Sequence, residues 1–217
     1  FLGTPLVRAG AEQAFWHAIL GHLDGADWAS GFLHASGLVE GGPVHRGLEA
    51  AARSLGRGCP VVHLPTTLLA QVDSAIGGKT AIDALGQKNL VGTFHPPALV
   101  VCDPSVLDTL DDRQLRAGYA EVVKYALIDD PRFFGWCEAN RAALIEGDRQ
   151  ARIHAIGHCL RSKARFVSDD LHDLRGRRAL LNFGHSFGHA IEAMAASDRV
   201  LHGEAVATGM ALAFQLS

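Results

Sequence analysis

Three histidines stand where they could share one metal ion. His185 and His189 lie four apart in Asn182-Phe-Gly-His-Ser-Phe-Gly-His189, and His202 follows in Leu201-His-Gly-Glu204. Residues four apart share a helical face, and imidazole is the commonest metal ligand near neutral pH. Taken alone, the spacing equally allows one or two of them to be core histidines bonded to backbone. Glu121 lies in an apolar stretch with Leu115, Tyr119, Val122, Val123 and Ala126 at helical spacing. A buried carboxylate is costly unless it is paired or bound to metal; the periodicity alone also allows Glu121 to face solvent.

Two glycine-bearing stretches could handle phosphate. Gly77-Gly78-Lys79-Thr80 looks like the end of a phosphate-binding loop, but Asp73 occupies the position of its first glycine, which rejects that motif. What remains is a glycine pair presenting Lys79, and Lys88-Asn89 in a turn containing Gly86. Gly41-Gly42 ahead of a helix could bring backbone N–H groups to a pyrophosphate. It is not G-x-G-x-x-G, so the signal is weak and an ordinary turn fits better.

These residues sit on two kinds of scaffold. Helices are expected over 11–23 and 44–55, with 28–39 ambiguous and a breaker-rich turn at Glu40-Gly41-Gly42-Pro43. Apolar runs at 60–64 and 98–102 read as buried strands, with a helix over 68–76 between them. Strands alternating with helices predict a parallel sheet whose ligands bind beyond the strand C-termini. From Asp111-Asp112 onward the pattern is helical: to Ile128, then 131–145, 150–167, and two further segments carrying the three histidines. The expected fold is α/β followed by all-α, divided into residues 1–109 and 110–217.

The chain has 217 residues, 48% hydrophobic and 20% charged, with net charge −3. That gives no electrostatic footprint for nucleic acid or an anionic membrane, and no apolar run has the length of a membrane span. Cys59, Cys102, Cys137 and Cys159 are dispersed, as buried thiols in a reducing compartment would be. A cytoplasmic location is expected. The chain opens on Phe1 and stops within an apolar helical pattern from Ala205 to Leu216, which reads as a fragment truncated at its C-terminus.

Five motifs carry a resemblance: Pro65-Thr-Thr-Leu-Leu-Ala-Gln-Val-Asp-Ser-Ala-Ile-Gly-Gly-Lys-Thr80, Gly86-Gln-Lys-Asn89, Gly118-Tyr-Ala-Glu-Val-Val-Lys-Tyr125, Asn182–His189 and Leu201-His-Gly-Glu-Ala205. In this order and spacing they resemble the 3-dehydroquinate synthase family over roughly residues 40–217. The resemblance implies a partial N-terminal Rossmann-like NAD-binding domain and a C-terminal helical metal-binding domain. It implies zinc, or cobalt, held by Glu121, His185 and His202, and NAD+ as a catalytic shuttle. The implied reaction converts a sugar-acid phosphate, 3-deoxy-D-arabino-heptulosonate 7-phosphate, to 3-dehydroquinate and phosphate. Asp73, Lys79, Lys124 and His189 would be catalytic. Lys79, Asn89, His189 and Arg57 would meet the phosphate, Arg57 from a neighbouring subunit of a homodimer. Lys163, Asn182 and Arg178 would meet the carboxylate, although Arg177 could align in place of Arg178. Gly41, Gly42, Thr66, Thr67, Asp73, Lys79, Lys88, Val106, Leu107, Asp108 and Thr109 would line the NAD site.

The sequence also departs from that family. Its glycine-rich turn, G-G-G-V-x-G-D, is here Glu40-Gly-Gly-Pro-Val-His-Arg46. Pro43 removes a backbone donor, and Arg46 reverses a charge. Asp173 or Leu174 stands where the family has a glutamate. These changes keep open a homologue that is non-catalytic or deficient in NAD binding. A related sugar-phosphate cyclase, or a polyol dehydrogenase of the wider superfamily, is a further alternative.

Overall fold

A computed structural model of the protein describes residues 62–84, 87–94, 96–168, 176–195 and 199–216. The expected helices over 11–23 and 44–55, the stretch 28–39, and Gly41, Gly42, Pro43, Arg46, Arg57, Asp173 and Leu174 lie outside these residues.

The apolar run before Pro65 forms a short strand, β1 (Val62–His63). Thr67 then accepts a hydrogen bond from Ala70 N at 3.1 Å and starts a helical turn. Its Ala70–Ser74 part is π-helical, closed by Ala75 N to Ala70 O at 3.2 Å. Such widened turns concentrate at functional sites, and this one carries Asp73. Gly77 and Gly78, at φ 93° and 66°, then reverse the chain.

The chain next makes an antiparallel hairpin, β2 (Lys79–Ala84) with β3 (Gln87–Phe94), in register Lys79↔Phe94 to Ala84↔Gln87 with an irregularity after Ile82. This corrects the sequence expectation, which placed Lys79 and the Lys88-Asn89 pair in glycine turns. Thr80, Ile82, Val91 and Thr93 suit strands. A fourth strand, β4 (Leu99–Val100), pairs in parallel with β1 as the alternation predicts, Val62↔Leu99 and His63↔Val100. The loops after both strands leave from the same end. Gln71, fully buried, ties them by donating from Nε2 to Pro65 O at 3.1 Å and Asp103 O at 2.9 Å.

A 3-10 turn, Pro104–Thr109, leads into the helices. Helix α1 (Asp112–Asp129) starts where Asp111 Oδ1 caps Gln114 N at 2.9 Å. Helix α2 (Pro131–Glu146) has Asp130 as its cap and proline at its first position, and stops at Gly147 with φ 101°. Helix α3 (Arg149–Ser168) follows at once. A second 3-10 turn, Arg177–Asn182, precedes α4 (His185–Met194) and α5 (His202–Leu216). The core joins Leu68 and Val72 to Leu107 and the inner faces of α1, α2 and α3, with Tyr125 fully buried among them. Helix α5 packs on α1 and α4. Among the described residues, no helix is long and apolar enough to cross a membrane.

Candidate metal centre and its buried ion-pair network

Helix α1 presents Glu121, Lys124 and Tyr125 inward, and all three are essentially inaccessible to water. The choice left open by periodicity is thereby decided: Glu121 is buried. Lys124 Nζ contacts its Oε2 as an ion pair, yet neither Glu121 oxygen receives a well-directed hydrogen bond. Facing Oε1 are His202 Nε2 at 3.5 Å and His185 Nε2 at 3.8 Å. One donor atom from each residue lies within 4.8 Å of the others. A buried carboxylate lacking directed hydrogen bonds, flanked by two imidazole nitrogens, is a donor set that fits a divalent cation of the zinc or cobalt kind.

Each imidazole is anchored from behind. His185 Nδ1 faces Phe183 O at 3.2 Å, and His202 Nδ1 faces Glu192 Oε1 at 3.0 Å. Burial and the Lys124 charge lower the His185 pKa. For His202, burial alone would do the same, but Glu121 and Glu192 outweigh it and raise the value. His189, one turn along α4, is exposed, its ring 5.5 Å from that of His185 and 6.3 Å from that of His202. It falls outside the Glu121 group, and joins Glu192 and His202 in a second cluster with donor atoms within 4.8 Å.

Beside the histidines runs a chain of ion pairs centred on Asp73. Lys163 Nζ lies 2.6 Å from Asp73 Oδ1, the Tyr125 hydroxyl donates to the same oxygen at 2.6 Å, and Lys124 Nζ stands 3.7 Å from Oδ2. Burial would raise the Asp73 carboxyl, but Lys124, Lys163 and the Tyr125 hydrogen bond hold it well below the ordinary range. For Glu121, burial and the Asp73 charge push upward, and His202 and Lys124 bring it down. Lys163 has one carboxylate for a partner, and its burial prevails and lowers it. Arg178 is buried close by, Nη1 lying 3.5 Å from Gly77 O. A Cβ on Gly77 would meet Arg178 Nη2 at 3.0 Å and Lys163 Cε at 3.4 Å. Gly77 therefore leaves room for these two basic groups.

Other residues singled out in the sequence are dispersed. Asn182 is exposed at the end of its 3-10 turn, and Lys79 is exposed at the start of β2. Lys88 and Asn89 lie on β3. Thr66 and Thr67 lie on the loop after β1, half-buried, with Thr67 engaged as a helix cap. In the 104–109 turn the side chain of Leu107 enters the core, Asp108 pairs with Arg152 at 2.6 Å, and Thr109 Oγ1 donates to Val106 O at 3.0 Å.

Sequence reasoning missed four contributors: Tyr125, Gln71, Glu192 and the Arg113–Glu204 pair. Glu192 falls on the helical face of His185 and His189, a signal present in the spacing. Arg113 holds Glu204 with contacts of 2.6 and 2.8 Å, and Glu204 also caps Leu201 N at 2.9 Å, pinning the start of α5 to α1. The Arg113 hydrogen bond holds the Glu204 carboxyl down at about 2.

Fold and site together define a class: a parallel-strand unit joined to a helical unit that gathers a carboxylate, two imidazoles and buried lysines. Two family models match the chain, the 3-dehydroquinate synthase N-terminal model over residues 37–117 and the C-terminal model over 118–217. The chain belongs to the dehydroquinate synthase family. It is 57% identical to a 3-dehydroquinate synthase of Zymomonas mobilis over 98% of this chain and 56% of that protein. It is 58% identical to one of Rhodospirillum rubrum over 77% of this chain and 43% of that protein. The chain thus spans about half the length of the curated relatives it matches. Among solved structures it is similar to 2-epi-5-epi-valiolone synthase from Streptomyces hygroscopicus with NAD+ and Zn2+ bound. That match has TM-score 0.73 and 38% identity, and covers 79% of this chain and 48% of that one. A 2-deoxy-scyllo-inosose synthase with carbaglucose-6-phosphate, NAD+ and Co2+ matches at TM-score 0.66 and 34% identity, covering 79% and 46%.

Proposed function

We propose that this chain provides the metal- and substrate-binding half, with part of the nucleotide-binding half, of a 3-dehydroquinate synthase. In this reading residues 1–109 are the partial NAD-binding domain and 110–217 the helical domain. The reaction takes 3-deoxy-D-arabino-heptulosonate 7-phosphate to 3-dehydroquinate and phosphate, a carbon–oxygen lyase step of the shikimate pathway in the cytoplasm. The observation that carries the reading is the convergence of Glu121, His185 and His202 beside the Asp73–Lys124–Lys163 network.

A divalent ion, zinc or cobalt, would be held by Glu121, His185 and His202, and when bound supplies a Lewis acid for the substrate hydroxyls. NAD+ supplies a reversible hydride acceptor, seated by Gly41, Gly42, Thr66, Thr67, Asp73, Lys79, Lys88 and the 106–109 turn. Because Leu107 is buried, that turn would offer backbone in place of its side chain. Lys124, between two carboxylates, keeps both ionised and is placed to orient hydroxyls at the reacting centre. Lys163 would exchange Asp73 for the substrate carboxylate, joined by Arg178 and Asn182. The exposed imidazole of His189 is positioned to meet a phosphate, with Lys79 and Asn89, and with Arg57 across the interface of a homodimer.

Mixing the chain with the sugar-acid phosphate, NAD+ and Zn2+ is expected to release inorganic phosphate, and His202→Ala to abolish zinc binding and release together. Zinc binding without NAD+ binding by calorimetry, and without phosphate release, would favour a non-catalytic homologue, the reading that Pro43 and Arg46 support. Release from a carboxylate-free sugar phosphate but not from the sugar acid would point to a related cyclase.

A further inference from the structure

We infer that Glu192 is a positioning residue for the metal centre: its carboxylate holds the Nδ1–H of His202 and so turns the bare Nε2 toward Glu121. The inference rests on the metal reading above and extends it to a residue that is neither a metal ligand nor a substrate contact in that reading.

The His202 ring lies between two carboxylates, Glu192 Oε1 at 3.0 Å from Nδ1 and Glu121 Oε1 at 3.5 Å from Nε2. A neutral imidazole has one N–H. On Nδ1 it donates to Glu192 and leaves the Nε2 lone pair for a cation. On Nε2 it would point a proton at the cation position and set the Nδ1 lone pair against the Glu192 anion. The first tautomer is the favoured one on both counts. Glu192 is well shielded, its side chain 12% exposed, so the bond is little screened by water. The second ligand histidine follows the same plan with a weaker acceptor, Phe183 O at 3.2 Å from His185 Nδ1. A carboxylate behind a ligating imidazole fixes its orientation and raises its basicity.

The fold is built to let Glu192 reach. A Cβ on Gly209 would lie 2.0 Å from Gly184 O, and one on Gly188 would lie 3.3 Å from the Ala205 backbone. These glycines bring α4 and α5 together closely enough for a side chain on one to orient a ligand on the other.

The test titrates the full chain with Zn2+ against a chromophoric chelator. Wild type is expected to bind one ion, and Glu192→Gln, which keeps an acceptor but loses the charge, to bind one ion about 10-fold more weakly. Glu192→Ala is expected to bind one ion about 100-fold more weakly. The visible spectrum of the Co2+ form should change in both variants. Nitrogen NMR of the zinc-loaded wild type, which needs no variant, should find the His202 proton on Nδ1. Unchanged affinity in Glu192→Ala overturns the inference while leaving the metal reading intact, whereas a proton on Nε2 overturns the inference and removes His202 Nε2 from the ligand set as well. A second bound ion lost in Glu192→Gln overturns it too, because Glu192 would then be a ligand with His189. A wild type that binds no zinc, as His202→Ala should not, overturns the metal reading and this inference together.

Discussion

At the scale of single residues, Lys124 and Tyr125 are neighbours on α1 with unequal burdens. Tyr125 gives one of several stabilising contacts to Asp73, so Tyr125→Phe removes a hydrogen bond and leaves the carboxylate with both lysines. The expected loss is about 1.5–3 kcal/mol, the usual range for a hydrogen bond to a charged group. Lys124 is the cation between Glu121 and Asp73. Lys124→Met leaves a buried carboxylate facing only imidazoles, and the expected loss is about 3–5 kcal/mol. Zn2+ should restore part of that loss in Lys124→Met, since the ion would replace the missing charge, and none in Tyr125→Phe. Urea unfolding with and without Zn2+ measures both; equal losses in the two variants would refute the ordering. The sequence carried the types and spacing of these groups but not their partners. That Asp73 takes up Lys163 depends on the π-helical turn and on Gly77, whose geometry no periodicity reports.

At the scale of elements, the helices from 112 onward were legible because their ends are written locally. Asp111, Asp130 with Pro131, and Gly147 are caps acting within one turn. The β2–β3 hairpin was not, because glycines at 77, 78 and 86 read as turns and mask its strand pattern. Nor was the closeness of α1 and α5, which depends on Gly203: a Cβ there would lie 1.8 Å from Ala117 O and 2.4 Å from Ala117 C. Both contacts are backbone, so the helices must part. Glu121 lies one turn beyond Ala117 and His202 next to Gly203, so parting them spreads the proposed ligands. Gly203→Ala is therefore expected to cost more than about 3 kcal/mol, the upper end of ordinary overpacking, and to weaken zinc binding. Gly135→Ala, on α2 with nothing within 4 Å of the new Cβ, should instead stabilise by about 0.5–1 kcal/mol. Calorimetric melting of the two variants checks the contrast; a Gly203→Ala protein that melts like wild type would show that α1 and α5 have room to separate.

At the scale of the whole molecule, acids and bases nearly balance, but an unusual share of charge is inside: Glu121, Lys124, Arg152, Lys163 and Arg178 are all buried. Stability should then depend on pH at both ends. On the acid side, Asp73 is held below its ordinary value against the opposing effect of burial, by Lys124 and Lys163. A depressed carboxyl contributes stability that is present above its unfolded pKa of about 4 and lost as pH falls below it. On the alkaline side, burial pushes the Cys102 and Cys137 thiols up to about 11 and raises Cys159 well above its ordinary value. Groups raised in the folded state contribute stability that is present below their unfolded pKa, about 8.5 for a thiol, and lost as pH climbs through the folded value. Each proton retained by the native chain but released by the unfolded one is worth about 1.4 kcal/mol per pH unit. Lys163, lowered by burial, opposes this with one proton against three thiols. The urea midpoint is thus expected to be level between about pH 5 and 8, and to fall on both flanks. At pH 8 the three described thiols should also resist a thiol reagent until urea exposes them, because almost none is thiolate while the chain is folded. Rapid labelling of Cys159 in the native protein, or a midpoint unchanged up to pH 10.5, would mean that burial does not hold these groups neutral.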